Sequence, residues 1–271
     1  MIQEDFDTWE EFEARIQQLQ GVSPESNEDL SESPPHLLFR GQADHSWNLE
    51  TTLERNSEKQ WSFSNYFRLI LVAQTQIETF TSHRWTIKSL LELTDWASKY
   101  DNIHLTEFPA YDYLVFLRHH GFPSPLLDWT RSPYVAAYFA FALPKSEHVA
   151  VFVYQEYAGC GKSGSSDEPQ IKSFGPNVRS HSRHFLQQSE YTIGAQFSEN
   201  GWLYTPHENV FKNKPTDQDL LWKLTMPATE RVKALKILDA HNLNEFSLFQ
   251  TTESLLSTIA CRALELYKKD Y

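Results

Sequence analysis

Trp9, Phe12, Ile16 and Leu19 recur at helical spacing behind Thr8, and Glu11 stands three residues after that threonine. This is the pattern of an amphipathic helix opened by a capping box, predicted over residues 8–20. Residues 21–35 are polar, carry Ser23-Pro24 and Ser33-Pro34-Pro35, and read as a linker. His36-Leu37-Leu38-Phe39-Arg40 predicts a short strand stopped by Gly41, and residues 60–100 and 107–120 have helical patterning, the second ending at Gly121. Beyond the loop Phe122–Pro125, the run Leu126–Ser132 leads into Tyr134–Ala142, which is apolar all round and predicts a buried helix. Ser132 followed by Pro133 supplies its N-cap and first position, and Pro144 ends it.

Residues 148–155 are the clearest strand in the chain, and residues 158–170, rich in Gly and Ser, read as a mobile loop. Further on, the pattern predicts a strand over 219–227, helices over 228–241 and 251–268, and a short strand near Glu245–Phe249. Helices interleave irregularly with short strands, so the expected class is α+β rather than a doubly wound sheet. The expected division is an acidic helix and linker over 1–35 and one domain over 36–271.

Composition narrows the function classes. The chain has 271 residues, with 14% aromatic residues, so a packed core without disulfide or metal support is expected. No apolar run is long enough to span a bilayer, and the acidic amino terminus does not resemble a secretory signal, so the expected location is the cytoplasm. Cys160 and Cys261 are far apart and read as two lone thiols. The net charge is -12, but residues 1–32 hold ten acids and one base, leaving -3 for the remainder. A basic groove is compatible with that nearly neutral body, whereas a protein that coats DNA without regard to sequence is not expected.

Three segments carry candidate chemistry. Arg40 ends an apolar strand beside Gly41; the pair faces an anionic ligand that approaches the backbone closely, or Arg40 is an exposed arginine paired with a carboxylate. In Asp128-Trp129-Thr130-Arg131-Ser132, the hydroxyls of Thr130 and Ser132 alternate; they orient a carboxylate or a ligand hydroxyl, or they cap the following helix. In Gln188-Ser189-Glu190 on a strand, Gln188 and Glu190 share a face, where the acid would bond a sugar hydroxyl and the amide place a second reactant; otherwise the segment is a solvated edge. His119, His120, His181 and His184 do not make a metal site, and no metal is expected. GxxxxGK[ST], GxSxG and HExxH are all missing from the chain, which removes the main support for P-loop, hydrolase-elbow and zincin readings.

Phe39-Arg40-Gly41-Gln42 with Trp47-Asn48-Leu49 and Arg55 resembles the opening of FRG-domain proteins. His119-His120-Gly121-Phe122-Pro123, Leu126–Thr130, Ser132-Pro133 and Ala137–Ala140 are similar to that family's second block, and Arg183 with Gln187-Gln188 to its third, over about residues 36–260. Arg118 stands where the family usually has Gln, Ser124-Pro125 where it has Thr-Arg, and Ser189-Glu190 where it has Gly after Gln-Gln.

A remoter resemblance is to mono-ADP-ribosyltransferases, which use an Arg, a Ser-Thr-Ser-like strand and Gln/Glu-x-Glu in this order; here these are Arg40, Thr130-Arg131-Ser132 and Gln188-Ser189-Glu190. It implies a split β-sheet core with NAD, as substrate, lying across it. Glu190 would then stabilise the cationic ribose of the transition state, Arg40 and Gly41 would hold NAD, Thr130 and Ser132 would orient Glu190, and Gln188 would position the acceptor. Tyr191 or Trp129 would stack on the nicotinamide. Gln188 at the first position of the last motif implies an acceptor other than arginine, a nucleobase of RNA or DNA among them. An enzyme of this kind endangers its own cell, which implies a toxin or antiphage effector restrained by an antitoxin-like partner. The alternatives are a NAD glycohydrolase with the same site, and a non-catalytic module binding a nucleotide or a protein.

Overall fold

The computed structural model describes residues 1–21, 36–156, 167–179, 182–211 and 219–267. Its strands are β1 (Ile2–Asp5), β2 (Leu37–Gln42), β3 (Leu127–Thr130), β4 (His148–Gln155), β5 (Gln170–Phe174), β6 (Ser189–Ser198), β7 (Gly201–Tyr204) and β8 (Leu220–Pro227). Its α-helices are α1 (Trp9–Leu19), α2 (Thr52–Asn56), α3 (Phe63–Thr81), α4 (Leu90–Ala97), α5 (Asn102–Leu105), α6 (Tyr111–His119), α7 (Pro133–Phe141), α8 (Ser182–Leu186), α9 (Arg231–Ala240), α10 (Glu245–Phe249) and α11 (Thr252–Cys261). The class is α+β, a central mixed sheet with helices packed on it. None of the described helices is long and apolar enough to cross a membrane.

The strands run in the order β1-β8-β4-β2-β3-β6-β5, with β7 also paired to β6. Among the described strands only β1 and β8 are parallel. The sheet is nearly in two pieces. β2 pairs with β4 along six residues, and β3 with β6 along four, but β2 and β3 share the single pair Phe39–Thr130. Paired residues point to the same face, so Phe39, Thr130 and Ser189 mark one side. On that side α7, α1 and α9 cover the first half around Phe39, Val151 and Leu224, and α3, α4 and α6 cover the second around Tyr191, Ile193 and Trp202. A smaller third cluster with Leu38, Trp129, Phe152 and Tyr154 lies on the reverse side.

The α1 prediction holds: Thr8 accepts from the Glu11 amide, the capping box is closed, and Trp9, Phe12 and Ile16 are buried. The acidic first segment is not set apart from the body, because β1 is an edge strand on β8 and α1 belongs to the first core. The strand β1 has no alternating apolar pattern, so no local signal marks it as extended. The linker proposed over 21–35 falls, from residue 22 on, outside the described residues, as does 158–166 of the proposed loop; Gln170 at its end opens β5. Gly41 does not stop β2 but lies within it. Residues 245–249 are helical rather than extended, because Asn244 accepts from the Ser247 amide and Ser247 returns the bond. Cys261 is a free thiol, and Cys160 lies outside the described residues.

Candidate active site

Where β2 and β3 part, a cleft of about 790 Å³ opens. Arg40 sits at this break. Its Nη1 donates to the Asp128 carbonyl at 2.8 Å, while its Nε is buried with no partner. Burial pulls its pKa down to about 10, against the pull of Asp128, so the guanidinium stays charged at neutral pH. The neighbouring His207, wholly buried and 2.8 Å from the Thr192 hydroxyl, is pushed down to about 3 by burial first and by the Arg40 charge second.

Asp128 ties two arginines together. Its backbone holds Arg40, and its carboxylate accepts from Arg118 at the end of α6 by two bonds, Nε to Oδ1 at 2.8 Å and Nη2 to Oδ2 at 2.6 Å. Such a paired fork is geometrically demanding and strong. Arg55 and Arg183 also line the cleft, so four guanidinium groups face Asp128 and Glu50 in a chain that is acidic as a whole. Arg183 lies 5.2 Å from the centre of the Phe249 ring. Trp47, 45% exposed, is a lining ring with a face open to a ligand.

Of the residues singled out in the sequence, Arg40, Gly41, Trp129 and Thr130 meet at this cleft. Gly41 has a packing reason for lacking a side chain: a Cβ there would stand 1.9 Å from the Ala136 carbonyl oxygen of α7. The Thr130 hydroxyl donates to the Gln187 carbonyl at 2.7 Å and accepts from the Ser132 amide at 3.1 Å. Ser132 caps α7 through the Val135 amide. Both hydroxyls therefore fix the β3–α7 turn, and their hydrogen bonds do not go to Glu190.

Gln188 and Glu190 are not placed side by side on a strand. Gln188 is exposed in a left-handed turn with φ of 48° before β6 begins, and its carbonyl accepts from the Arg131 amide. Glu190 is buried and pairs across the ladder with Trp129, and its Oε1 lies 3.3 Å from His36 Nε2 and 3.7 Å from Arg131 Nε. In strand order, Trp129 stands between Glu190 and the strand that carries Arg40. The β6 residue that lines the cleft is Ser189. Tyr191 is fully buried, its hydroxyl 2.7 Å from His119 Nε2 and 3.2 Å from His184 Nδ1, so its ring is closed to a ligand. Trp129 is buried as well, with its Nε1 donating to the Thr192 hydroxyl.

The sequence reading missed Arg118, Asp128, His119, Ser189 and Trp47 as cleft residues. A signal existed for two of them. Arg118 and Asp128 flank a Gly- and Pro-containing loop between a helix and a strand, which turns the chain back and brings an opposite-charge pair together.

Residues 35–148 match the family model of the FRG domain. The matched stretch runs from the residue before His36 to the start of β4 and includes Arg40, Arg55, Arg118, Asp128 and Thr130. It stops short of the Arg183–Gln188 block to which the motif resemblance extends, so that block and Glu190 lie beyond the match. No curated protein and no solved structure matches the chain.

Proposed function

We propose that the cleft binds NAD and that the chain is an ADP-ribosyltransferase acting on a macromolecular acceptor. The observation that carries this reading is the Arg40 guanidinium, charged, buried at the break in the sheet and left with an unpartnered Nε. A desolvated donor of this kind is costly unless an anion completes it. Arg55, Arg118 and Arg183 around it suit a pyrophosphate, and the cleft volume lies within the range of ligand sites. Trp47 offers a stacking surface for a base. The near-division of the sheet at one backbone pair also accords with the split core that the motif order implies.

Loss of nicotinamide leaves positive charge on the ribose, and a carboxylate beside it lowers the barrier. Asp128 is the cleft-lining carboxylate adjoining Arg40, and in this reading it takes that place. Glu190, which the motif order singles out, supports the β3–β6 ladder from behind Trp129. The acceptor is an amide, a thiol or a nucleobase, and a restraining partner or antitoxin belongs with a toxin or antiphage role. A second reading, a nucleotide-binding module without turnover, draws on one observation: the Asp128 carboxylate is already engaged by both donors of Arg118.

Incubation with labelled NAD and a cell lysate separates the readings. Label on a macromolecule supports transfer, free ADP-ribose supports hydrolysis, and unchanged NAD with calorimetric binding supports the module. Arg40→Ala is expected to weaken NAD binding at least about tenfold, since a charge-assisted bond contributes about 1.5–3 kcal/mol. Unchanged affinity in a folded variant sinks the assignment. Asp128→Asn should abolish turnover while Glu190→Gln retains part of it, and the reverse order would restore Glu190 to the catalytic place.

A further inference from the structure

Gln42 ends β2, two residues past Arg40 and on the same face of the strand. It is 6% exposed and lines the cleft. Its Nε2 donates to the Asn48 carbonyl at 3.0 Å, while its Oε1 is buried with no partner. A carbonyl oxygen only accepts, so the bond to Asn48 fixes which way the amide is turned; reversed, two oxygens would face each other. Oε1 is thus a fixed acceptor, and a desolvated acceptor is costly until a donor meets it. The wall beside it is formed by a tied loop. Asp44 Oδ1 accepts from the amide and the hydroxyl of Ser46, at 2.8 and 2.7 Å, and the Leu49 amide donates to Glu208 Oε1 at 3.0 Å. Trp47 and Asn48, within this loop, line the cleft with Gln42.

We propose that Gln42 selects the adenine end of the dinucleotide, its Oε1 accepting from the exocyclic amine of a base stacked on Trp47. The proposal rests on the NAD reading above and says which end of the molecule lies where. An open ring face and an unmet amide acceptor on one wall are the two contacts that a base with an amino group needs. Adenine supplies the N–H for Oε1, and its neighbouring ring nitrogen accepts from the second N–H of the Gln42 amide, of which Asn48 takes one. The head of Arg40 is tied to β3 at Asp128, and that of Gln42 to the loop at Asn48. With Asp128 at the nicotinamide ribose and Arg40 at the pyrophosphate, the base falls to Gln42. A purine with a carbonyl in place of the amine sets oxygen against Oε1, and the amide cannot turn to relieve this without losing Asn48.

Calorimetric titration with NAD and with nicotinamide hypoxanthine dinucleotide, its 6-oxo analogue, decides it. The wild type should bind NAD at least about tenfold more tightly than the analogue, the scale of a buried acceptor left without its donor. In Gln42→Leu, close in size and unable to accept, NAD affinity should fall to within about twofold of the analogue's, while the analogue binds at least as well as it does to the wild type. A purely structural role for Gln42 would weaken both ligands together, and that result overturns the selection. Trp47→Ala should weaken both by the same factor, about tenfold, because stacking does not sense the amine; unchanged NAD affinity there moves the base off this wall and overturns the proposal. Should Gln42→Leu fail to fold, the wild-type ratio still decides. Equal affinity for the two dinucleotides overturns the role of Gln42 and leaves the NAD reading standing, whereas a wild type that binds neither overturns that reading and this one with it.

Discussion

Gly41 shows how a residue read as a ligand contact can have a structural cause. The absence of a side chain lets α7 lie directly on β2, with the Ala136 oxygen where a Cβ would be and the Ala140 nitrogen 2.7 Å from it. Gly41→Ala should therefore destabilise the fold by about 2–3 kcal/mol, as overpacking against backbone does, with the loss visible in denaturant unfolding. His36 carries a second residue-level expectation. Its pKa is raised chiefly by the hydrogen bond it donates to the Glu190 carboxylate, against partial desolvation. A raised imidazole pKa adds stability that is fully present below its unfolded value near 6.5 and is lost as pH rises through the folded value. In NMR titration the His36 midpoint should lie above 6.5, and Glu190→Gln should bring it back down; an unmoved midpoint contradicts the contact. Arg40, Gly41 and Thr130 were legible in the sequence as cleft residues because Arg40 and Gly41 directly follow the apolar run Leu37–Phe39 and Thr130 ends β3. Glu190 was not, since the left-handed turn at Gln188 ends the alternation on which its orientation was based.

At the scale of elements, legibility followed local signals. α1, α7 and β4 were foreseen because each carries a local mark: Thr8 with Glu11, Ser132 with Pro133, and the continuous apolar, Val-rich run within residues 148–155. α10 was misread because five residues with two aromatic rings look extended unless the Asn244–Ser247 box is weighed. β1 was invisible for a different reason. An edge strand of mostly exposed residues takes its form from pairing with β8, a partner more than 200 positions away. The α7 cap allows a test: Ser132→Ala should cost about 1 kcal/mol, the usual loss for an N-cap hydroxyl, and lower Tm without altering the far-ultraviolet spectrum. No loss would mean that Thr130 and Pro133 alone set the turn.

For the molecule as a whole, helices of the two half-sheets bury separate cores on one face, and the cleft lies where those cores part. The first core reaches back to the acidic start of the chain through Trp9, whose ring is fully buried and 6.3 Å from Phe141. Trp9→Ala should cost about 3–5 kcal/mol by calorimetric or denaturant unfolding, as for other large rings removed from cores. A cost below about 1 kcal/mol would mean that α1 is dispensable to the body.

One hydrogen-bonded rung, Phe39 with Thr130, ties the left and right portions of the sheet. A beam thinned to a single fibre flexes first at that point, so any guest wedged into the gap also sets the angle between its two arms. Tight anion capture and mechanical stiffening would then be one event, and loss of the guest would return the seam to its loosest state.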